Sequence, residues 1–292
     1  MNVTSDPVAL NQWVPCTHLD ALKPGETLDT VIMGQKVRVT RQDTGAHTVC
    51  TLDDAGQPGR DLPVQEKFTL VMTTLGDNPR PLPLIPEFDE PDRRVANSGA
   101  VGVNTSPYRL IENFLDMAHF PFVHTDILGT TDESEVLSYK CEHRKDVDEV
   151  WATDCLFYQP AASASAGVQG AGQMTNYKYR VMSPFSVMLY KTCYDYPDRD
   201  DAIAVFIQPV GETELLAYMP MALIDDNLSN SELVSFQQTI FLQDRIILEN
   251  QRPRLLSLAP NTEIPTKADM SSIAFRRWLK DSGISFGLQK AA

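Results

Sequence analysis

The sequence predicts an α+β fold in which a small N-terminal β-domain precedes a larger domain with an antiparallel sheet and a long C-terminal helix. Three observations support this fold class. Residues 1–80 contain short β-branched segments between turn residues, residues 79–91 hold five prolines, and a capping motif at Ser229 opens a run with helical spacing.

Composition and charge indicate which partners the chain can have. The chain has 292 residues, of which 42% are hydrophobic and 22% charged, and its formal net charge is -14. The acidic balance argues against nucleic acid or an anionic membrane as the main partner. No apolar stretch approaches the roughly 20 residues that span a bilayer, and the first residues lack the features of a secretory signal. We therefore expect a cytoplasmic protein that binds small molecules or proteins, with its five cysteines reduced.

The N-terminal elements should be short strands. Asp29–Val39 is rich in β-branched residues, Asp43-Thr44-Gly45 is a turn signal, and Val64–Leu75 has an alternating pattern. The prolines that follow exclude helix and favour an extended connector. We predict a β-domain at residues 1–80, a connector at 81–94 and a second domain at 95–292.

The second domain should begin with a helix and continue with strands. After Tyr108, apolar residues recur at three- and four-residue spacing, and Pro121 is expected to end the helix. Ala161–Gly172 consists almost entirely of Ala, Ser, Gly, Val and Gln, which indicates a mobile loop. Strands are predicted at Glu135–Glu142, Glu149–Tyr158, Gln173–Asp195 and Ala202–Leu223.

A long helix is predicted near the C-terminus. Ser229-x-x-Glu232 has the form of a capping box, which places the start of the helix there. The helical spacing continues to about Glu249 through Leu233, Phe236, Ile240, Ile247 and Leu248.

Two of the five histidines lie five residues apart in an aromatic and aliphatic run. Asn113, Asp116 and His119 follow one another at i, i+3 and i+6, broadly along one side of the predicted helix, and His124 comes just beyond Pro121. Two imidazoles and a carboxylate that leave positions open form the facial arrangement of non-haem ferrous oxygenases. The alternative is a buried polar network that stabilises the helix.

Asp244 on the long helix is the candidate for the carboxylate. It lies four residues after Ile240 and three before Ile247, on an otherwise apolar face, where a buried charge needs compensation. Either a metal ion or a salt bridge to an arginine would provide it, and Arg245 is the nearest arginine in sequence. Spacing alone favours neither.

These segments resemble the Rieske non-haem iron oxygenases. Glu112–His124 is similar to their Asn-x-x-Asp-x-x-His-x4-His iron-binding motif, and Gln243–Gln251 is similar to the segment that supplies their third ligand. Weaker likenesses reach both ends of the chain, as at Asn11–Trp13 and Phe275–Leu279.

The resemblance implies a catalytic domain of the helix-grip (START-like) type and an iron site within it. One mononuclear Fe(2+) would be held by His119, His124 and Asp244. The resemblance also makes Asn113 and Asp116 candidate catalytic residues. In family members the aspartate of the motif, which matches Asp116, passes electrons to the iron.

The chain departs from the family at the iron–sulfur cluster. Members carry a two-iron two-sulfur cluster on a Cys-x-His and Cys-x-x-His pair, which would lie between Cys50 and Pro63. Only twelve residues separate these two positions, and they contain neither Cys nor His. We therefore interpret the N-terminal domain as a Rieske-like remnant without its own iron–sulfur cluster.

The presence of Asp116 without a cluster leads to the hypothesis that another protein supplies a Rieske centre in trans. The likeness is greatest to the branch that demethylates 7-methylxanthine in bacterial caffeine catabolism. It implies a methylxanthine as the small-molecule substrate, with formaldehyde released from its N-methyl group. It also implies a Rieske-containing reductase that uses NADH, a glutathione-transferase-like structural subunit, and a trimer-based hetero-oligomer.

Two alternatives remain. The chain could be an O-demethylase or hydroxylase of an aromatic acid, which a basic residue in the pocket would favour, whereas amides such as Asn or Gln would favour a purine. It could also be a non-catalytic structural subunit of an oxygenase complex, although all three candidate ligands and Asp116 are present.

Overall fold

The computed structural model describes residues 2–160, 172–193, 196–224 and 228–290. These residues form an α+β fold with antiparallel sheets and a long helix near the C-terminus, which confirms the predicted fold class. None of the described helices is long and apolar enough to cross a membrane. The strands are β1 (Val14–His18), β2 (Thr27–Ile32), β3 (Gln35–Arg41), β4 (His47–Leu52), β5 (Pro58–Leu62), β6 (Val64–Lys67), β7 (Leu70–Thr73), β8 (Arg94–Val103), β9 (Lys140–Arg144), β10 (Glu149–Gln159), β11 (Gln173–Ser183), β12 (Ser186–Cys193), β13 (Tyr196–Gly211) and β14 (Glu214–Leu223). The helices are α1 (Pro7–Leu10), α2 (Pro107–Leu115), α3 (Phe120–Val123), α4 (Asn230–Asn250) and α5 (Met270–Ser282).

The N-terminal strands form two small sheets that pack against the rest of the chain. One has the order β1-β7-β6 and the other the order β2-β3-β4-β5. The second sheet is tied to β13, because Met33 N–H donates to Pro209 O at 2.6 Å and Gln208 Nε2 donates to Thr30 Oγ1 at 2.7 Å. The core is therefore continuous between the N-terminal strands and the large sheet.

The proline-rich segment has no regular structure from residue 79 to residue 85, and a single 3-10 turn follows at Pro86–Phe88. Prolines lack an N–H donor, so such a segment cannot continue a sheet. It is held instead by side chains, as where Trp13 Nε1–H donates to Arg80 O at 2.7 Å. The division of the chain into domains at this segment stays a prediction.

A seven-stranded antiparallel sheet forms the larger part of the fold, in the order β8-β14-β13-β12-β11-β10-β9. Two predicted strands are in fact hairpins. Gln173–Asp195 is divided into β11 and β12 by a turn at Pro184, and Ala202–Leu223 is divided into β13 and β14 after Gly211. The strand predicted at Glu135–Glu142 begins only at Lys140. Residues 161–171, most of the predicted loop, lie outside the described residues.

Helix α4 crosses β8 and contacts α2, and so brings the C-terminal part of the chain to the histidine segment. It begins at the predicted capping box, where Ser229 Oγ accepts from Glu232 N–H. Its buried side includes Ile240, Phe241 and Leu248. Ile247 is 45% exposed, so the prediction that it shares this side is wrong. The buried stripe instead follows the spacing Phe241, Asp244, Leu248.

Candidate metal centre

The histidine segment does not continue helix α2 as far as predicted: His119 lies in the turn between α2 and α3, and His124 directly follows α3. Helix α2 ends at Leu115, because Asp116 has an extended backbone and its Oδ1 accepts from Ala118 N–H at 2.7 Å. Pro121 lies in the first turn of α3, where a missing N–H costs nothing, so it starts a helix and does not end one. His119 and His124 are the two residues that flank α3.

The turn and helix α4 bring together His119, His124 and Asp244. Nε2 of His119 is 3.2 Å from Nε2 of His124, and Oδ1 of Asp244 lies 3.2 Å from the first and 3.0 Å from the second. For octahedral geometry and metal–ligand bonds of roughly 2.1 Å, neighbouring ligand atoms are about 3 Å apart. The three atoms therefore have the mutual spacing of three ligands on one face of an octahedron.

Hydrogen bonds on the far sides of both rings determine which nitrogen faces the centre. Nδ1 of His124 lies 2.8 Å from Oε1 of Gln243, and Nδ1 of His119 lies 3.3 Å from Oδ2 of Asp116. Both oxygens accept, so each Nδ1 carries a proton, and with a metal ion bound each ring would present its Nε2 lone pair to the centre. Such outer partners are the usual means by which ligand rings are oriented.

The centre is buried and its charges are arranged to hold a cation. The side chains of His119 and Asp244 are 12% and 13% exposed, and that of His124 is 1% exposed. Burial lowers the pKa of His119, but Asp116 and Asp244 outweigh it and raise the pKa to about 9. Burial raises the pKa of Asp244, but the two imidazoles outweigh it and hold the pKa at about 2.

The arrangement fits a divalent metal ion. Oδ1 of Asp244 is buried and receives no well-directed hydrogen bond from any described residue, although both Nε2 atoms lie close to it. A cation between the three atoms would satisfy this carboxylate oxygen. Within the described part of the chain, these three residues are the one group of His, Cys, Asp or Glu with such spacing. Two imidazoles and one carboxylate form the donor set of non-haem ferrous sites.

The structure also shows which groups compensate the negative charge of Asp244. Arg245, the arginine nearest in sequence, pairs with Glu249 at 3.2 Å on the same helix. The contacts of Asp244 are the two imidazoles, so the salt-bridge alternative is not the one the chain adopts.

A largely apolar cavity opens beside the centre. It is lined by His119, His124 and Asp244, by residues of β11, β12 and β13, and by the first half of α4. Asn113 lies at this cavity, whereas Asp116 contacts His119 at Nδ1, the nitrogen that faces away from the centre. The polar residues at its wall are Asn113, Tyr177, Tyr179, Lys191 and Gln237.

Sequence reasoning missed Gln243 and Tyr179. Gln243 directly precedes the candidate ligand Asp244, and its amide supports His124, which is 119 residues away in sequence. Tyr177 and Tyr179 are two residues apart in a predicted strand, so their side chains lie on the same face of the sheet. This spacing could have indicated that both tyrosines line the cavity.

Comparisons with known proteins show which family and fold the chain shares. Residues 103–282 match the vanillate O-demethylase oxygenase C-terminal domain. The chain is 41% identical over 278 residues to a probable methylxanthine N7-demethylase, NdmC, of Pseudomonas sp. (strain TJI-51), covering 95% of this chain and 96% of that protein. NdmA of Pseudomonas putida CBB5, solved with caffeine, shares the fold with a TM-score of 0.72 and 16% identity over 92% of this chain and 90% of that chain. Dicamba monooxygenase bound to 3,6-dichlorosalicylic acid shares it with a TM-score of 0.73 and 15% identity over 94% of this chain and 98% of that chain.

Proposed function

The chain belongs to the Rieske non-haem iron oxygenases and is similar to methylxanthine N-demethylases, and we propose that it oxidises the N7-methyl group of 7-methylxanthine. It is an oxygenase, and in this proposal it acts as the oxygenase component of a multi-component N-demethylase. One oxygen atom of dioxygen enters a C–H bond of the N-methyl group to give an N-hydroxymethyl group, and two electrons and two protons reduce the other atom to water. The N-hydroxymethyl group then breaks down to the free ring N–H and formaldehyde. The observation that carries the proposal is the spacing of His119, His124 and Asp244 beside an apolar cavity.

In the proposal these three residues hold one Fe(2+). When bound, ferrous iron supplies the activation of dioxygen that carbon-centred side chains cannot provide. The chain's own contribution is orientation and exclusion of water. Gln243 and Asp116 fix the two rings, and burial of His124 keeps solvent from the centre.

The cavity suits a flat, weakly polar ring. Its aromatic and aliphatic wall includes Phe120, Val205 and Phe241, which can pack on a purine face. Asn113 and Gln237 add amide groups, which can pair with the carbonyl and N–H groups of a xanthine. These amides favour a methylxanthine as the substrate.

Lys191 at the same wall favours the second candidate, an O-demethylase or hydroxylase of an aromatic acid. An ammonium group would stabilise a substrate carboxylate. The remaining alternative, a non-catalytic structural subunit, has no support, because the chain is an oxygenase of this family and the three candidate ligands are assembled.

We further propose that electrons come from a Rieske cluster on a partner protein, a Rieske-containing reductase that oxidises NADH. The segment between Cys50 and Pro63 folds mainly as the hairpin of β4 and β5. Its sequence contains no Cys or His that could hold a cluster. Asp116 supports a donor from outside, since its side chain is 31% exposed and contacts His119. A glutathione-transferase-like structural subunit and a trimer-based hetero-oligomer complete the proposal, on the strength of the resemblance alone.

Turnover with defined partners tests the proposal. The chain is assayed anaerobically for iron, then with dioxygen and NADH against 7-methylxanthine and a methoxybenzoate, with formaldehyde as the readout. We expect about one iron per chain, and formaldehyde from 7-methylxanthine only when the reductase carries a Rieske centre. A folded protein that binds no iron would overturn the metal site. Formaldehyde from methoxybenzoate alone would assign the second candidate, and turnover with a cluster-free reductase would overturn supply of the cluster in trans.

A further inference from the structure

The largely apolar cavity beside the metal centre has one lysine in its wall. Leu189 and the half-buried Lys191 of β12 line the cavity, and Tyr190 between them is buried on the opposite face of the sheet. Side chains alternate between the two faces of a strand, so the side chain of Lys191 starts on the cavity face. Among the described residues of the cavity wall, it is the only lysine or arginine. A charge in such surroundings needs a compensating group, either in the chain or in a ligand.

Two titratable side chains flank Lys191 on the cavity face of the sheet. Tyr177 on β11 and Asp201 on β13 are its partners in the sheet register, and residues paired in this way project to the same side. The carboxylate of Asp201 is shared, because its Oδ1 accepts from Ile224 N–H at 2.8 Å. Lys191 is itself held by an interaction within the chain. An ammonium group has three N–H donors, so such an interaction leaves donors for a ligand.

The position of Lys191 relative to the metal centre suits the far edge of a bicyclic ring. Phe120, which directly follows the candidate ligand His119, packs over β10 and β11, with its ring centroid 5.5 Å from that of Phe157 and 6.0 Å from that of Tyr177. Lys191 lies on the next strand of the same face, one spacing of about 4.8 Å further on. In 7-methylxanthine the N7-methyl group and the carbonyl groups of the six-membered ring are at opposite ends. A ring with its methyl group at the centre therefore directs its carbonyl groups away from the histidine turn.

A ring N–H group beside a carbonyl carbon is a weak acid, and 7-methylxanthine has two such groups. Loss of one proton gives an anion whose charge is shared with the carbonyl oxygens. We propose that Lys191 is a specificity-determining residue whose ammonium group donates to a ring oxygen of this anion. The inference rests on the proposed function, and it gives the charge at the cavity wall a role with a xanthine as substrate. An aromatic carboxylate offers the same oxygen anion, so the test includes one.

Calorimetric titration in buffers of different ionisation enthalpy tests the proposal, because it measures both the affinity and the number of protons released. The iron-loaded, anaerobic protein is titrated with 7-methylxanthine and with a methoxybenzoate at about pH 7, where most free 7-methylxanthine is neutral, so binding of its anion releases a proton to the buffer. We expect the wild type to release up to about one proton per 7-methylxanthine. Lys191→Met should bind this ligand about 10- to 100-fold more weakly and release no ring proton. Lys191→Arg keeps the charge and should keep the proton release.

Lys178→Met is the matched control. Lys178 lies on the neighbouring strand β11, but it is not at the cavity wall, and its Nζ pairs with Oδ2 of Asp200 at 2.6 Å. The same substitution there removes a positive charge from the opposite face of the sheet, and we expect wild-type affinity and proton release. The other described titratable groups at the cavity wall are Tyr177, Tyr179, His119, His124 and Asp244. They are the same in every variant, so proton exchange at these groups cancels in the comparison.

The outcomes distinguish this inference from the function on which it rests. If the wild type binds 7-methylxanthine without releasing a proton, the substrate binds as the neutral molecule, so the inference is overturned and the proposed function stands. This result needs no variant, so the test does not depend on the folding of Lys191→Met. If Lys191→Met keeps both the affinity and the proton release of the wild type, the inference is again overturned. A wild-type protein that binds the methoxybenzoate and no methylxanthine overturns the proposed substrate, and the inference with it.

Discussion

Removal of the amide that holds His124 should weaken iron binding without unfolding the protein. Gln243→Leu deletes the Oε1 atom that accepts the Nδ1–H of His124 at 2.8 Å. The histidine side chain is only 1% exposed, so water cannot easily replace the lost acceptor. An unpaired buried donor costs about 1–3 kcal/mol. Loss of a partner that orients a ligand typically weakens metal affinity about 10- to 100-fold, and we expect a loss in that range.

Competition with a chelator that reports Fe(2+) by absorbance measures this affinity under anaerobic conditions. Gln238→Leu is the control, since it makes the same substitution on the same helix and also deletes one hydrogen bond, from Gln238 Nε2 to Ser98 O at 2.7 Å. Both variants should lose a similar free energy of unfolding, measured on the metal-free proteins in urea. Only Gln243→Leu should lose iron affinity. Equal iron affinity in the two variants would refute the assignment of Gln243 as the residue that orients His124.

Three further changes test other parts of the structure. Asp244→Ala should abolish stoichiometric iron binding, measured as metal content after desalting, because it removes the one carboxylate among the three candidate ligand atoms. Ser229→Ala should lower the free energy of unfolding by about 1 kcal/mol through loss of the capping box of α4, with iron content unchanged. The pKa of Asp6 lies below its ordinary value of 3.8, because hydrogen bonds from backbone N–H groups and Ser285 outweigh burial, which raises it. Its contribution to stability is therefore complete above about pH 4 and is lost as the pH falls through the lowered pKa, and Asp6→Asn should reduce the slope of stability against pH in that window.

The histidine segment shows what local spacing can and cannot predict. The i, i+3, i+6 pattern grouped Asn113, Asp116 and His119, and in the structure Asn113 and His119 line the cavity while Asp116 contacts His119. The helix predicted to carry them was wrong beyond Leu115, because the carboxylate of Asp116 accepts a backbone N–H two residues later and replaces the next helical hydrogen bond. Apolar periodicity carries no information on such side-chain capping.

Residue spacing could not predict the contacts in the site between residues that are far apart in sequence. Asp244 meets His124 only because α4 crosses β8 and contacts α2, and this depends on the register of a seven-stranded sheet. Periodicity located α4 and its capping box, but it treated two hairpins as single strands, since the apolar pattern continues through turns such as that at Pro184. The family resemblance supplied the pairing of Asp244 with the histidines that topology would otherwise have to provide.

The presence of Asp116 in a chain without its own cluster does not by itself establish electron transfer from a partner protein. Its Oδ1 accepts from Ala118 N–H at 2.7 Å and its Oδ2 lies 3.3 Å from Nδ1 of His119, so Asp116 would be needed to shape the histidine turn even without an electron donor. The position of Asp116 supports a role in electron transfer, because its 31% exposed side chain connects the buried candidate ligand His119 to the protein surface. Asp116→Asn keeps an oxygen that can accept but removes the charge, and it separates the two roles. If Asp116 only orients His119, turnover should fall equally with chemical reductant and with the Rieske-containing reductase. If it also conducts electrons from a docked donor, iron content should be kept and turnover should fall about 10- to 100-fold with the reductase alone.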